Sequence, residues 1–210
     1  MKRLALLLCL LSAAAQAEEL GQSWSIVGPK TIEPNGNVLE IAAGWPGLSA
    51  GYYRGVAPGL NLGARVGFVY GVEGMIHYVE PGFKAQVLLK WRLLEADRLS
   101  IGVTFEPGPF FHAPYFGGTV AGFSLPIGFR LGIAASSAIN VAVLVDLPMW
   151  VSFGPGADFN VPVLTGVGLE YFVSSTLGLF FRARVGPTIR ASSGTAELTF
   201  EGSLGVALRF

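Results

Sequence analysis

The fifteen residues AELTFEGSLGVALRF, Ala196 to Phe210, alternate without a slip. Ala196, Leu198, Phe200, Gly202, Leu204, Val206, Leu208 and Phe210 fall on one side, and Glu197, Thr199, Glu201, Ser203, Gly205, Ala207 and Arg209 on the other. A side-chain period of two is that of a β-strand, with one face apolar along its whole length.

An amphipathic final strand that stops on an aromatic resembles the terminal strand of bacterial outer-membrane β-barrels. The resemblance implies a lipid-facing apolar side, and recognition of the strand ending in Phe210 by the barrel-assembly machinery. The other end of the chain agrees. Lys2 and Arg3 precede an apolar run, Leu4 to Leu11, that is too short to cross a bilayer, and Ala15-Gln16-Ala17 has a small-x-small pattern. These three regions in this order are expected to be a secretory signal peptide over residues 1–17, cut before Glu18. Residues 18–36 are then expected to be a periplasmic extension, and 37–210 the barrel.

Composition narrows the function classes. Cys9 is the only cysteine and lies in the leader, which leaves no disulfide, Cys-based metal site or thiol nucleophile in the mature chain. With Lys2 and Arg3 removed, 12 basic and 14 acidic residues remain. That balance offers nothing to nucleic acid. Charged residues make up 13% of the chain, about half of the usual ~25%. No apolar run after the leader reaches the ~18 residues of a membrane helix. Hydrophobicity spread over alternating segments is the barrel pattern.

Ten such segments are predicted: 37–44, 48–56, 60–71, 82–94, 99–110, 120–134, 139–152, 162–173, 177–190 and 195–210. Four open with similar phrases, beginning at Leu60, Leu99, Ile139 and Leu177, which is a hairpin repeat and implies an up-and-down meander. Short connections alternate with longer ones at 72–81, 111–119 and 154–161. An even strand count places both termini and the short turns at 57–59, 95–98, 135–138 and 174–176 at the periplasmic end. The first and last hairpins, at 45–47 and 191–194, break the contrast by being short at the outer end. The fold class is therefore all-β, a transmembrane up-and-down antiparallel barrel of ten strands, with eight or twelve as the alternatives.

Alternation alone does not say which face points outward, since a lipocalin-like barrel would turn the apolar face in. Residue identity does. One parity carries Val66, Phe68, Phe83, Val87, Trp91, Phe129, Val143 and Val145; the other is rich in glycine. The glycine-rich parity also holds eight bases, Arg65, Lys84, Lys90, Arg92, Arg130, Arg182, Arg184 and Arg209. With them are six acids, Glu40, Glu106, Asp146, Glu170, Glu197 and Glu201. Small and charged residues suit a lumen, and only Arg54 falls on the apolar parity. Arg65, Arg130, Arg182 and Arg184 are expected to pair with Glu106, Asp146, Glu170 or Glu201, because a lone charge in a narrow space is costly. Pro126 and Pro148 sit inside strands and are expected to mark bulges or strand exits.

Motifs for chemistry are sparse. His77 and His112 fall in connections without metal-ligand spacing or a neighbouring nucleophile, so no catalytic residue, metal or cofactor is assigned. Three classes remain. The first is a non-enzymatic barrel with an envelope-structural or surface-contact role and a lumen filled by a charged network. The second is a narrow channel or carrier for small solutes, and the third an outer-membrane enzyme.

Overall fold

Alternating sequences of this kind satisfy their backbone only by pairing on both sides, and in the computed structural model each strand does so. The structure describes residues 23–72, 74–75, 79–113, 118–153 and 157–210. The strands are β1 (Asn37–Trp45), β2 (Gly47–Ala57), β3 (Leu60–Val69), β4 (Gly82–Ala96), β5 (Leu99–Phe105) and β6 (Gly108–His112). They continue with β7 (Val120–Ala134), β8 (Ile139–Phe153), β9 (Phe159–Pro162), β10 (Leu164–Phe172), β11 (Leu177–Arg190) and β12 (Ala196–Arg209).

All neighbours are antiparallel, and β12 pairs with β1 from Val38↔Arg209 to Trp45↔Gly202, which closes the wall. Segments β5 and β6 both lie between β4 and β7, and β9 and β10 both lie between β8 and β11. The twelve segments are thus ten staves, two of them interrupted. The stave expected to start at residue 162 starts earlier, because Asn160 and Val161 already pair with Arg190 and Ile189.

The interruptions explain the prolines. Pro126 and Pro148 face each other across β7 and β8. The Pro126 carbonyl accepts from Glu106 N at 3.0 Å. Its missing donor therefore points the same way, at the break between β5 and β6, and Pro148 points at the break between β9 and β10. The irregularity sits in the neighbouring stave, where no donor is required.

The apolar parity faces outward: Ile41, Val66, Phe83, Val87, Trp91, Phe129, Leu204 and Val206 are exposed. An apolar surface wrapped around the whole wall suits hydrocarbon and not water. Arg54, also outward, lies near the terminal end and donates to Asn35 Oδ1 at 3.3 Å. Phe105 ends β5 but lies mid-wall, opposite Leu89, because its stave continues through β6.

The core is inside the barrel. It gathers Val38, Tyr53, Leu88, Leu144, Phe172 and Phe180 around Trp24, Ile26, Val27 and Ile32. Residues 23–33, expected from the sequence to belong to a periplasmic extension, run within the barrel's terminal end. At the opposite end Met75, Phe110 and Trp150 form a second buried cluster.

Candidate functional site in the lumen

Glycine at inward positions lets side chains from alternate staves meet. Glu40, Gly51 and Arg65 share one row across β1, β2 and β3. A Cβ on Gly51 would come within 2.8 Å of the Glu40 side chain. Through that gap Arg65 Nε donates to Glu40 Oε1 at 2.7 Å, while Nη1 donates to Glu106 Oε2 at 2.6 Å and Nη2 to the Tyr53 hydroxyl at 2.5 Å. Gly128, opposite Asp146 on β8, opens a second gap. There Arg130 Nη1 lies 2.6 Å from Asp146 Oδ1 and Arg184 Nη1 2.7 Å from Oδ2. Arg184 also pairs with Glu201, its direct neighbour on β12. Buried ions persist when both partners are engaged in this way, and losing one partner leaves the other stranded.

Arg182 is different. It faces Ser203 across β11 and β12, and its Nε donates to Ser203 Oγ at 2.9 Å. Its guanidinium carbon lies 5.8 Å from the Phe180 ring centre. Among the described residues no carboxylate pairs with it.

Nearer the terminal end the charges hold backbone. Residues 24–29, 31 and 32 are buried, and their amides and carbonyls need partners that a strand ladder does not supply. Glu170 accepts from Ile26 N at 2.5 Å, Val27 N at 2.9 Å and Ser25 Oγ at 2.5 Å. Lys90 Nζ donates to the carbonyls of Ser25, Ile26 and Gly28 at 2.8, 3.0 and 2.9 Å. Asn61 Oδ1 accepts from Ile32 N at 3.1 Å. The glycine rows again make room: a Cβ on Gly168 would meet Val27 Cγ1 at 2.2 Å, and one on Gly132 would meet Pro29 Cδ at 2.5 Å. At the mouth, Trp24 Nε1 donates to Ser175 O at 3.0 Å and Trp24 packs edge-on to Phe172. Arg209 reaches Ser23 Oγ at 2.7 Å and Glu33 Oε2 at 3.1 Å.

Between the two ends lies a cavity of about 140 Å³, bordered by Trp45, Pro46, Arg65, Lys84, Arg130, Arg182 and Glu201. A space of only about 20 Å³ separates the charged layer from Ile26 and Val27, room for about one water.

The fourteen inward charges thus divide by depth. Glu40, Arg65 and Glu106 form one cluster, and Arg130, Asp146, Arg184 and Glu201 another; Lys84 lines the cavity. Lys90, Glu170 and Arg209 bind residues 23–33, and Arg92 pairs with Glu95, which also lies 3.8 Å from Lys30. Glu197 pairs with Arg190 at 3.0 Å near the loop end. The pairing expected for Glu170 with an arginine is not found, because Ile26 N and Val27 N occupy its Oε1 and Ser25 Oγ and Asn140 Nδ2 its Oε2. Arg182 was also expected to pair with an acid and instead meets Ser203.

Sequence reasoning missed the inserted segment, its wall partner Asn61, and Asn140, which donates to Glu170 Oε2 at 3.3 Å. The segment's signals were the apolar Trp24, Ile26, Val27 and Ile32 in a stretch read as a periplasmic extension, and the inward glycines at 132 and 168. His112 is buried and its ring lies 5.3 Å from that of Phe110; His77 lies outside the described residues. Among the described residues no group of three or more His, Cys, Asp or Glu is placed to hold a metal.

No known family model matches this chain, and no curated protein does. Among solved structures it is similar to the outer membrane protease OmpT from Escherichia coli, with a TM-score of 0.51 at 9% identity over 84% of this chain and 97% of that one. The KdgM porin gives a TM-score of 0.40 at 12% identity, over 83% and 99%. At such identity the likeness to OmpT is one of architecture. With its closed antiparallel wall and its outward apolar face, the chain has the fold of a bacterial outer-membrane β-barrel.

Proposed function

We propose that this is a non-enzymatic outer-membrane barrel with an envelope-structural or surface-contact role, whose lumen is sealed by its own amino-terminal segment. The observation that carries the reading is the seating of residues 24–32 inside the terminal end, where Glu170 and Lys90 bind their backbone. Above the segment, the Arg65 and Asp146 clusters cross the lumen. Their carboxylates are held by guanidinium groups, an arrangement that suits bracing the wall better than accepting a proton from a substrate. In this reading residues 1–17 direct export and are removed, Phe210 ends the strand presented to the assembly machinery, and lipid surrounds the apolar wall.

Planar-bilayer recording on the purified mature protein tests it. The wild type is expected to show no stable currents, and a variant lacking residues 23–33 to show stepwise ones. Large, steady currents from the wild type would favour the channel reading instead. Peptide or lipid hydrolysis that disappears in His77→Ala or His112→Ala would favour an enzyme.

A further inference from the structure

We propose that the central cavity binds one small oxyanion, a carboxylate or a phosphate, anchored by the Arg182 guanidinium. The site goes beyond the sealed-barrel reading, which needs no ligand. Every carboxylate beside the cavity is already engaged: Glu40 and Glu106 by Arg65, Asp146 by Arg130 and Arg184, and Glu201 by Arg184. Arg182 alone among the described arginines of this layer has no acid. Ser203 takes its Nε. Its two Nη groups have no acceptor among the described residues, and Arg182 borders the cavity.

The charge balance has the matching sign. Five cations (Arg65, Lys84, Arg130, Arg182, Arg184) against four carboxylates (Glu40, Glu106, Asp146, Glu201) leave +1 around the space. A guanidinium fork presents parallel donors that match a two-oxygen acceptor. The cavity, about 140 Å³, admits an ion of the size of acetate or phosphate and excludes an extended chain. Its border at Trp45 and Pro46 lies toward the loop end, so entry does not require residues 23–33 to leave.

Calorimetric titration of the mature barrel in detergent, in a zwitterionic buffer at low ionic strength, tests the site. Acetate and inorganic phosphate are titrated separately, which tells a carboxylate site from a phosphate one. Saturable binding of one ion per barrel is expected for at least one of them. Arg182→Gln is expected to weaken it by at least about tenfold, the usual scale for losing a charge-assisted fork. Arg182→Lys keeps the charge without the fork and should weaken it by a smaller factor; it also serves if the Gln variant does not fold. Arg190→Gln, remote from the cavity, should bind as the wild type does. Absence of saturable binding for both ions, or equal affinity in the wild type and both Arg182 variants, overturns the proposal.

Discussion

The two depths of this lumen carry the same residue types on the same strand parity and use them for different ends. Near the loop side, Arg65, Arg130 and Arg184 neutralise Glu40, Glu106, Asp146 and Glu201, and the ions brace one stave against another. Near the terminal side, Lys90 and Glu170 form no ion pair among the described residues and bind the main chain of residues 25–28. The difference follows from what fills the space. A segment without a strand ladder exposes donors and acceptors, and these compete for the inward charges. Where no segment enters, Arg65, Arg130 and Arg184 turn to the carboxylates around them, and Arg182 to the Ser203 hydroxyl.

The comparison breaks first at Asp146. Asp146→Asn strips the charge shared by Arg130 and Arg184, both inside the wall, so a loss of about 3–5 kcal/mol is expected. Urea unfolding of the barrel in lipid vesicles measures it; a midpoint equal to wild type would mean that the clusters do not brace the staves. The outer face gives the next largest effect. Val143→Arg places a charge among outward apolar side chains and should cost about 2–4 kcal/mol in the same assay. Its neighbour Ala142 is 3% exposed and faces inward. Ala142→Arg should therefore act on the inserted segment, which packs beside it at Gly168, and unimpaired assembly of Val143→Arg would reject the facing.

Glu170→Gln sharpens the contrast with Asp146. It keeps the shape and weakens the bonds to Ile26, Val27 and Ser25, for an expected loss of about 1.5–3 kcal/mol. The loss should appear as faster proteolysis between Ser23 and Glu33 with the wall intact, whereas Asp146→Asn should loosen the wall itself. Identical digestion of Glu170→Gln and wild type would show that Glu170 does not hold the segment. The smallest effect is expected at Glu197→Gln, since the Arg190–Glu197 pair is about a quarter exposed on each side and such pairs are worth under about 1 kcal/mol. A midpoint shift several times larger would give the loop-end pair a structural role that its exposure does not suggest.

Much of the wall was legible because a period of two has one reading once the partner strands alternate too. The parity of Val143 and Ala142, the strand order and the inward set of charges all follow from it. The pairing of Arg184 with Glu201 needed register, which one sequence does not contain. The breaks at Glu106–Pro107 and Val163 were hidden because the prolines that point to them, Pro126 and Pro148, lie in other staves. The inserted segment was hidden for a different reason. Residues 24–32 have no strand period, and their burial is decided by inward glycines more than 70 residues away in the sequence, at 102, 132 and 168. Their partners Lys90 and Glu170 look, in sequence, like any other lumen charges.

The account rests on residues 24–32 lying inside the barrel, and one cross-link tests that directly. The mature chain is expected to have no cysteine of its own, so an introduced pair reports without background. Val27 and Gly168 touch, and a Cβ on Gly168 would lie 3.3 Å from that of Val27, close to the ~3.5–4.5 Å spacing of disulfides. Val27→Cys combined with Gly168→Cys should oxidise nearly completely in the folded barrel, giving a mobility shift that reductant reverses and blocking a bulky maleimide at both thiols. Free reaction of both thiols with that maleimide, in barrels that otherwise fold, would place the segment outside and contradict the sealed lumen.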